Sequence, residues 1–557
     1  MKLKERRGLL SKITSIAIIG AAGISLAACG GATGGDSGSS TTTASSSDSS
    51  EETTAAASSG SSDSSAKDTL IYSVAKDVGD LNVHLYDGDM MAQSLVFDGL
   101  VNNTFDGIQP ALAESWDISE DGKSYTFHLK KDVKFTDGEP FNAEAVKKNF
   151  EAIMVEKELH SWLGLVEYFD NVEVIDDYTV KLNLTAPYNY TLTDLALPRP
   201  FRFMSPKAFK DGNTNKGVEY IAGTGAYKLG DQVINQYTDL VANEDYWGDK
   251  AKINTFRIKV SPSGQTTYMA LKSGETDLLF GTFSSSLIDA ESFTSLQSDD
   301  NFQVVQSGAN ATRYLITNAH TDKEVKQAVW CAINRDELTS TIYEGKELPA
   351  YRLFEKNLPY CDVELEERGF DVDKSKQILE GAGYTLGSSG YYEKDGKPVK
   401  LNLVYNGDSA DNKTSCEYIQ SNLKTAGIEA ELVEADSTSI YEKKASGDYD
   451  LMLLTSWGWP YDPQNTLGGL NNFNSFGASI NGMDCEKEVL DNLNTAYTST
   501  DDSKVAEAYA NILKTAHEEC FWIPLSYTEL AIIAPKDLKG VEFNFSSFSL
   551  PVEKFYY

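Results

Sequence analysis

The sequence lacks the short motifs that usually mark an enzyme. It contains no Gly-x-Ser-x-Gly elbow, no His-Glu-x-x-His helix, no phosphate-binding loop and no Cys-x-x-Cys pair. Histidine is scarce, with 5 residues in 557, and they are too widely spaced along the chain to form a compact local metal motif. A catalytic triad can assemble from distant residues, so a surface enzyme or adhesin stays open as a minor alternative.

Basic residues and cysteines are also few. Lysine and arginine number 49 against 83 aspartates and glutamates, which gives a net charge of −34. Nucleic-acid binding requires basic patches, so this charge balance argues against a nucleic-acid partner. After Cys29 an odd number of cysteines follows with no close pair, which leaves open either one disulfide bridge or buried free thiols.

A long apolar run occurs only near the N-terminus. Basic residues between Lys2 and Lys12 precede an apolar stretch from Ile13 to Leu26 that is too short for a membrane helix and is typical of a secretory signal peptide. The run ends in Leu26-Ala27-Ala28-Cys29, which resembles the lipobox of bacterial lipoproteins. We therefore expect residues 1–28 to be a lipoprotein signal peptide and Cys29 to carry the lipid.

The next segment differs in composition from the rest of the chain. Residues 29–66 are almost wholly Gly, Ser, Thr, Ala and acidic residues, with no aromatic or large aliphatic side chain. Because such a segment cannot bury an apolar core, we predict a disordered tether behind the lipid anchor. The globular remainder, residues 67–557, is longer than one core usually supports and predicts two or more domains.

Apolar periodicity in the globular part predicts both strands and helices. Alternation predicts strands over 70–74 and 123–130. Asn142 is the expected cap of a helix, and helical spacing predicts further helical stripes from Val325 to Ile333 and from Val505 to Ala516. Strand and helix patterns mix without a fixed repeat, so the fold class is α/β or α+β.

Ordered matches to one protein family run from about Leu70 to the C-terminus. The matching segments are Pro110 to Trp116, Val133 to Phe141, Gly223 to Gly225, Asn243 to Trp247 and Gly447 to Asp450. In this order they resemble the large peptide- and nickel-type family, family 5, of solute-binding lipoproteins of ABC importers. The resemblance implies a receptor that hands a solute to the permease and ATPase subunits of an importer, with no enzyme activity and no cofactor.

The resemblance also implies an architecture. We expect an α/β, two-lobed clamp like that of periplasmic binding proteins, with a discontinuous first lobe and an extra subdomain. Lobe I would comprise 67–308, lobe II 309–524, and 525–557 would return to lobe I, with crossings near 306–314 and 522–530. The ligand would lie between the lobes, and hinge closure would signal the loaded state.

Within the family, the nickel-chelate branch resembles this chain best. The segments that carry this closer likeness are Leu195 to Phe203, His160 to Trp162, Ile440-Tyr441 and Trp457 to Pro463. In that branch an arginine grips chelator carboxylates between two tryptophans, and the matching residues here are Arg199, Trp162 and Trp457. A guanidinium binds a carboxylate with two hydrogen bonds, and aromatic rings add contact area. The further candidate ligand contacts are Tyr86, Met90, Tyr441, Tyr461, Arg202 and Trp459, of which Arg202 and Trp459 have structural roles as open alternatives.

The sequence departs from the nickel branch at one position. Nickel-binding relatives present a histidine to the metal after the Trp-Gly motif, whereas Gln464 to Gly477 contains none and Ser475 falls near the expected place. His84 or His160 could replace that ligand. Alternatively, a chelator of the opine or histidine type could fill the coordination sphere itself, so that the transported ligand is a complete nickel–chelator complex.

The main alternative is a receptor for di- or oligopeptides. Peptide-binding relatives hold the ligand's amino terminus with an aspartate just after the matching tryptophan, but Gly458-Trp459-Pro460 offers no acid. We therefore favour a nickel or other transition-metal chelate over a peptide. In either case we expect the protein on the outer face of the bacterial cytoplasmic membrane, held by the lipid on Cys29.

Overall fold

The structure is a computed structural model that describes residues 67–261, 264–282, 288–471 and 476–557. The predicted signal peptide, Cys29, the predicted tether and Ser475 lie outside these residues. Among the described residues the strands, β1 to β22 in chain order, are Thr69–Val74, Val101–Thr104, Gly107–Pro110, Ala113–Ile118, Ser124–Leu129, Phe169–Asp176, Thr179–Leu184, Phe209–Lys210, Asn213–Val218, Tyr227–Val233, Tyr237–Ala242, Thr255–Val260, Leu279–Thr282, Phe302–Thr317, Glu347–Pro349, Thr385–Leu386, Tyr392–Lys394, Lys397–Pro398, Lys400–Asn406, Glu429–Ala435, Leu451–Thr455 and Trp522–Pro535. The α-helices, α1 to α14, are Met90–Val96, Ala143–Val155, Gly164–Tyr168, Thr191–Leu195, Gly264–Ser273, Ala290–Gln297, Lys323–Ala332, Arg335–Glu337, Val372–Gly381, Ala410–Thr425, Ser437–Ser446, Gln464–Gly468, Glu486–Thr498 and Asp502–Glu518.

The largest sheet has helices on both faces. Its strand order is β13-β22-β14-β21-β19-β20, and β15 also pairs with β22. Neighbouring residues of β14 point into different cores, since Tyr314 and Ile316 join one apolar cluster and Leu315 joins another. Helices α13 and α14 pack on the first face and α7 and α10 on the second. Both faces of this sheet are therefore buried, as in α/β folds.

Two smaller four-stranded sheets organise the N-terminal part. The sheet β1-β12-β11-β10 packs against α1 and against C-terminal residues such as Leu550 and Phe555. The antiparallel sheet β4-β5-β7-β6 packs against α2 and forms a separate core that includes Phe127 and Phe150. This second sheet with α2 has the position of an extra subdomain.

The long strands β14 and β22 run between the core of the first four-stranded sheet and the core of the largest sheet. Strand β14 pairs with β22 over most of its length, with register shifts between Gln306 and Ala309 and between Ala309 and Ala311. At one end β22 contributes Leu530 and Ile532 to the core of the first sheet, and at the other Ile523 enters the core of the largest sheet. The predicted crossings near 306–314 and 522–530 fall on these strands, and the lobe boundaries themselves stay a prediction.

The local patterns agree with several predicted elements. The strands expected over 70–74 and 123–130 are β1 and β5, and the Asn142 side chain accepts from the Ala145 N–H at 2.9 Å at the start of α2. The stripe expected from Val325 to Ile333 is α7, which ends one residue earlier at Ala332; Ile333 is extended, and helical structure resumes from Arg335 to Ile342. The buried Arg335 guanidinium donates to the Trp330 and Ile333 carbonyls, which satisfies the carbonyl groups at this helix end.

The cysteines of the described residues are free thiols. Four of them are buried and Cys485 is partly exposed. The sequence left open one disulfide bridge or buried thiols, and the structure favours the thiols.

Candidate functional site

Three predicted residues form one hydrogen-bonded group. The Trp162 indole N–H donates to the Tyr86 hydroxyl at 2.8 Å, and that hydroxyl lies 2.8 Å from Nδ1 of His160. Burial lowers the pKa of His160 to about 4, so the ring is neutral at neutral pH and one of its two nitrogens carries a proton. The loop after β1 and the loop after α2 therefore meet at this point.

Hydrogen bonds distinguish the two histidine candidates for direct metal binding. In His160 the Tyr86 hydroxyl pairs with Nδ1, and Nε2 is a buried atom without a partner among the described residues. The buried His84 ring has Nδ1 3.0 Å from the Thr214 hydroxyl and Nε2 3.1 Å from the Arg202 carbonyl. Because a carbonyl only accepts, Nε2 of His84 carries the proton and Nδ1 is taken by Thr214. The His84 ring therefore keeps no free lone pair for a metal ion, whereas His160 stays a candidate through Nε2.

Arg199 is held on one side of its guanidinium. Its Nη1 donates to the carbonyl oxygens of Tyr86 at 3.0 Å and Gly88 at 2.9 Å, and the cation lies 5.0 Å from the centre of the Tyr86 ring. Among the described residues no hydrogen bond joins its Nε or Nη2. This edge carries the two parallel N–H groups that suit a carboxylate, and the half-buried side chain is already oriented.

Tyr461 packs between Trp162 and the second predicted tryptophan, Trp457. The buried Tyr461 ring lies 6.1 Å from the Trp162 ring and 5.9 Å from the Trp457 ring. Trp162 is 40% exposed and Trp457 is 56% exposed, so both indoles present a surface to solvent. We call Tyr86, His160, Trp162, Arg199, Trp457 and Tyr461 the aromatic–arginine cluster. A sixth aromatic ring, Phe548 near the C-terminus, packs on Trp457 and Tyr461 and was not predicted from the sequence.

A buried carboxylate shapes the loop that carries Trp457 and Tyr461. Asp462 accepts hydrogen bonds from the Ser456 hydroxyl, from the Gly458 N–H at 3.1 Å and from the Thr466 hydroxyl at 2.6 Å. Burial raises the pKa of Asp462 to about 6, and the three donors limit this rise. Both oxygens of Asp462 are thus occupied within its own loop.

A second buried carboxylate joins the Trp162 and Arg199 segments. Asp194, in α4, accepts from the Leu165 N–H at 3.0 Å, and Leu165 follows Trp162 by three residues. Burial raises the pKa of Asp194 to about 7. Asp194 was not among the predicted site residues, although an acid in an apolar segment, five positions before Arg199, indicates a buried carboxylate near the site.

Four of the predicted ligand contacts lie outside the aromatic–arginine cluster. Arg202 is buried and donates to the carbonyls of Leu197 and Ala196, which favours a structural role. Trp459 stacks on Phe545 at 5.7 Å in a separate aromatic group. The remaining two are Met90, half-buried at the start of α1, and Tyr441, 60% exposed on α11.

The described residues contain neither a cluster of metal-binding side chains nor a helix that could span a membrane. They contain no group of three or more His, Cys, Asp or Glu side chains placed to hold a metal ion. Within the same residues, none of the helices combines the length and the apolar character needed to cross a bilayer.

Comparison with known proteins identifies the family. The profile of the family described as "Bacterial extracellular solute-binding proteins, family 5 Middle" matches residues 107–477, which is more than half of the chain. The chain belongs to this family. Its members are binding proteins of ABC importers rather than enzymes, and they work with permease and ATPase components.

Individual relatives extend the match over nearly the whole length. The nickel-binding periplasmic protein of Escherichia coli is 32% identical over 499 residues, covering 88% of this chain and 95% of the relative. The crystal structure of NikA from Brucella suis in complex with Fe(III)-EDTA superposes with a TM-score of 0.84 at 34% identity, covering 87% of this chain and 99% of that one. The dipeptide-binding protein of Escherichia coli is 24% identical and covers 77% and 83%. These matches confirm the α/β, two-lobed architecture of this family 5 protein.

Proposed function

We propose that this family 5 protein captures a nickel chelate, or a chelate of another transition metal, between its lobes and delivers it to the permease of an ABC importer. The observation that carries the proposal is the free Nε and Nη2 edge of Arg199 beside the exposed faces of Trp162 and Trp457. A carboxylate-bearing chelate fits such a site, because the arginine binds the carboxylate and the indoles cover the ligand. The two relatives of 32% and 34% identity are a nickel-binding protein and a protein bound to a metal chelate, which supports this ligand class.

The chemistry of the site favours a metal that arrives already chelated. Both ring nitrogens of His84 are committed to hydrogen bonds, and His160 has only Nε2 without a partner, so the two residues cannot fill the coordination sphere of a bare ion. Direct ligation is needed only when the coordination sphere of the metal is incomplete. We therefore expect the chelator to supply most or all of the metal's ligands.

The loop geometry argues against a peptide ligand. A peptide ammonium requires an acceptor with a negative charge, and the acid nearest to Trp457 in the chain is Asp462. Its oxygens accept from Ser456, Gly458 and Thr466 inside the loop, so it does not reach a ligand. The peptide receptor therefore stays the second candidate, supported by relatives of about one-quarter identity such as the dipeptide-binding protein.

The lipid anchor is a separate part of the proposal. We infer that residues 1–28 are removed, that Cys29 carries the lipid and that residues 29–66 form the tether. The protein would then be retained on the outer face of the cytoplasmic membrane, within reach of the importer. The lobe boundaries at 308 and 524 belong to the same proposal.

Calorimetry and thermal melts with a ligand panel test the proposed function. The panel contains Ni(II)–histidine, Ni(II)–EDTA, Ni(II) without chelator, and di- to pentapeptides. A true ligand binds the native state and raises the melting temperature by mass action, and closure should reduce the radius of gyration in small-angle scattering. We expect chelates to produce both effects and bare Ni(II) to produce neither. If peptides alone shift the melt, the peptide receptor is the correct function.

A further inference from the structure

A small pocket lies in the part of the molecule that is built around the largest sheet. Its walls come from α7, from α14, from the start of β22 and from the loop that follows β15. Most of the lining side chains are apolar, and the empty space amounts to about 380 Å³, including the part that is open to solvent. The pocket shares no lining residue with the aromatic–arginine cluster, so it is separate from the proposed ligand site.

Two polar atoms in the walls of this pocket lack a hydrogen-bond partner. Nη1 of Arg352 and Nε1 of Trp522 are both buried, and neither has a partner among the described residues. The Trp522 side chain belongs to the core and is only 2% exposed. Both groups are donors that cannot accept a hydrogen bond. Because a buried donor without an acceptor costs stability, the pair indicates a guest that accepts hydrogen bonds.

Other contacts hold Arg352 in position. Its Nη2 donates to the Val363 carbonyl at 2.7 Å, and its own carbonyl accepts from the Tyr527 hydroxyl at 2.9 Å. The next residue, Leu353, accepts a hydrogen bond from the Thr312 hydroxyl in β14. The guanidinium is therefore oriented before a guest binds, which lowers the entropic cost of binding.

The walls of the pocket carry a positive charge and no negative one. Arg352 is the one Lys, Arg, Asp or Glu among the lining residues, and the other titratable groups there are Cys361 and His517. Burial raises the pKa of Cys361 to about 12 and lowers the pKa of His517 to about 4, so the thiol and the imidazole are neutral at neutral pH.

The acids in the adjoining loop are engaged elsewhere. Glu366 pairs with Arg368 at 3.3 Å, and Lys356 lies 3.4 Å from both Asp362 and Glu364. In the described part of the chain no acid forms an ion pair with the Arg352 guanidinium. A water molecule could accept both free hydrogen bonds, but it would leave this charge without a counter-ion in an apolar enclosure.

We propose that the pocket binds a small inorganic monovalent anion, of which chloride is the simplest, through Nη1 of Arg352 and Nε1 of Trp522. Such an anion accepts both hydrogen bonds and offsets the charge of the guanidinium. It would connect the loop after β15 with the start of β22 and stabilise this part of the receptor. The inference does not depend on which solute the protein transports.

Anomalous scattering from bromide locates the anion directly. Crystals of the wild-type protein are grown with sodium bromide as the halide, and diffraction is recorded at the bromine absorption edge. We expect an anomalous peak within hydrogen-bond distance of Arg352 Nη1 and Trp522 Nε1. Density without an anomalous signal at this position identifies a water molecule and overturns the inference.

Thermal melts show whether the pocket fills in solution. Sodium chloride replaces sodium gluconate at constant ionic strength, because gluconate is too large for the pocket. An anion that binds the native state should raise the melting temperature of wild type in a saturable way. A bromide peak in the crystal without this rise marks an adventitious ion only, and that result also overturns the inference.

Three variants assign the effect to the pocket. Arg352→Met removes the charge and should raise the half-saturating chloride concentration about tenfold or more, and Trp522→Phe keeps an aromatic ring without the N–H and should raise it about three- to tenfold. Lys356→Met removes an exposed cation of the same loop and should stay within about twofold. An unchanged chloride dependence in either pocket variant that still folds overturns the inference.

Discussion

Replacement of Arg199 tests the centre of the proposed site. In the structure Nη1 is fixed by the carbonyls of Tyr86 and Gly88, while Nε and Nη2 are available to a ligand. A charge-assisted hydrogen bond contributes roughly 1.5 to 3 kcal/mol net, and about 1.4 kcal/mol corresponds to a tenfold change in affinity. Arg199→Ala should therefore weaken chelate binding by about tenfold to a hundredfold or more.

The same contacts predict a smaller effect on stability. Arg199→Ala removes two hydrogen bonds to backbone carbonyls, each worth about 0.5 to 1.5 kcal/mol. The site is half-exposed, so water can replace these donors and the free energy of unfolding should fall by only about 1 kcal/mol. Arg199→Lys should recover part of the affinity, because an ammonium keeps the charge without the two parallel N–H groups.

Arg202 provides the matched control for this experiment. It lies three residues later, is buried, and donates only to backbone carbonyls within its own segment. Arg202→Lys should lower the melting temperature without ligand and leave the affinity of the folded protein unchanged. Titration calorimetry and melts without ligand measure both quantities. Unchanged chelate affinity in a stably folded Arg199→Ala protein would refute the role of Arg199.

Three further predictions address the anchor, closure and pH dependence. Cys29→Ala should release the protein into the medium or leave it uncleaved, since no thiol remains to take the lipid, and a normally matured, membrane-bound variant in cell fractions contradicts the lipobox. Asn189→Ala removes the side-chain hydrogen bond to the Ala496 carbonyl and keeps the backbone hydrogen bond to the Tyr497 carbonyl, so ligand affinity should fall about two- to tenfold and the radius of gyration should rise. An unchanged radius argues against a role in closure. Asp194→Asn should melt at a higher temperature than wild type at about pH 8 and at the same temperature near pH 4. The reason is that the pKa of Asp194 is raised in the folded state, so the folded state loses stability as the pH rises through about 7 and the carboxyl ionises. Equal melting temperatures of variant and wild type at both pH values exclude this loss.

Much of the fold was predictable because local patterns determine it. Alternation of Leu70, Tyr72 and Val74 gives β1, and the Asn142 side chain accepts a backbone N–H at the start of α2 as expected. The helical stripe predicted from Val325 to Ile333 ends one residue early, because Ile333 is extended and helical structure resumes only at Arg335. The buried Arg335 guanidinium beside this break donates to the Pro524 carbonyl, far away in sequence.

The sequence alone could not distinguish all candidate ligand contacts from residues with a structural role. Arg199 and Arg202 share one short segment, and both were candidates for ligand contact. Burial of Arg202 among backbone carbonyls, and the free edge of Arg199, distinguish them. His84 and His160 were candidate metal ligands because their residue type suits nickel, and only their hydrogen-bond partners show that His84 is occupied at both nitrogens and His160 at one.

The sequence by itself determined the family and the α/β class, because these follow from residue order and local composition, and it predicted the candidate ligand-binding segments. The tertiary structure decided which side chains meet: Tyr86 with His160 and Trp162, and Tyr461 between the two tryptophans. It also decided that Asp462 is occupied within its loop. Such facts depend on distances between side chains, several of them far apart in sequence, and on their removal from water, and neither quantity is encoded in any short stretch of sequence.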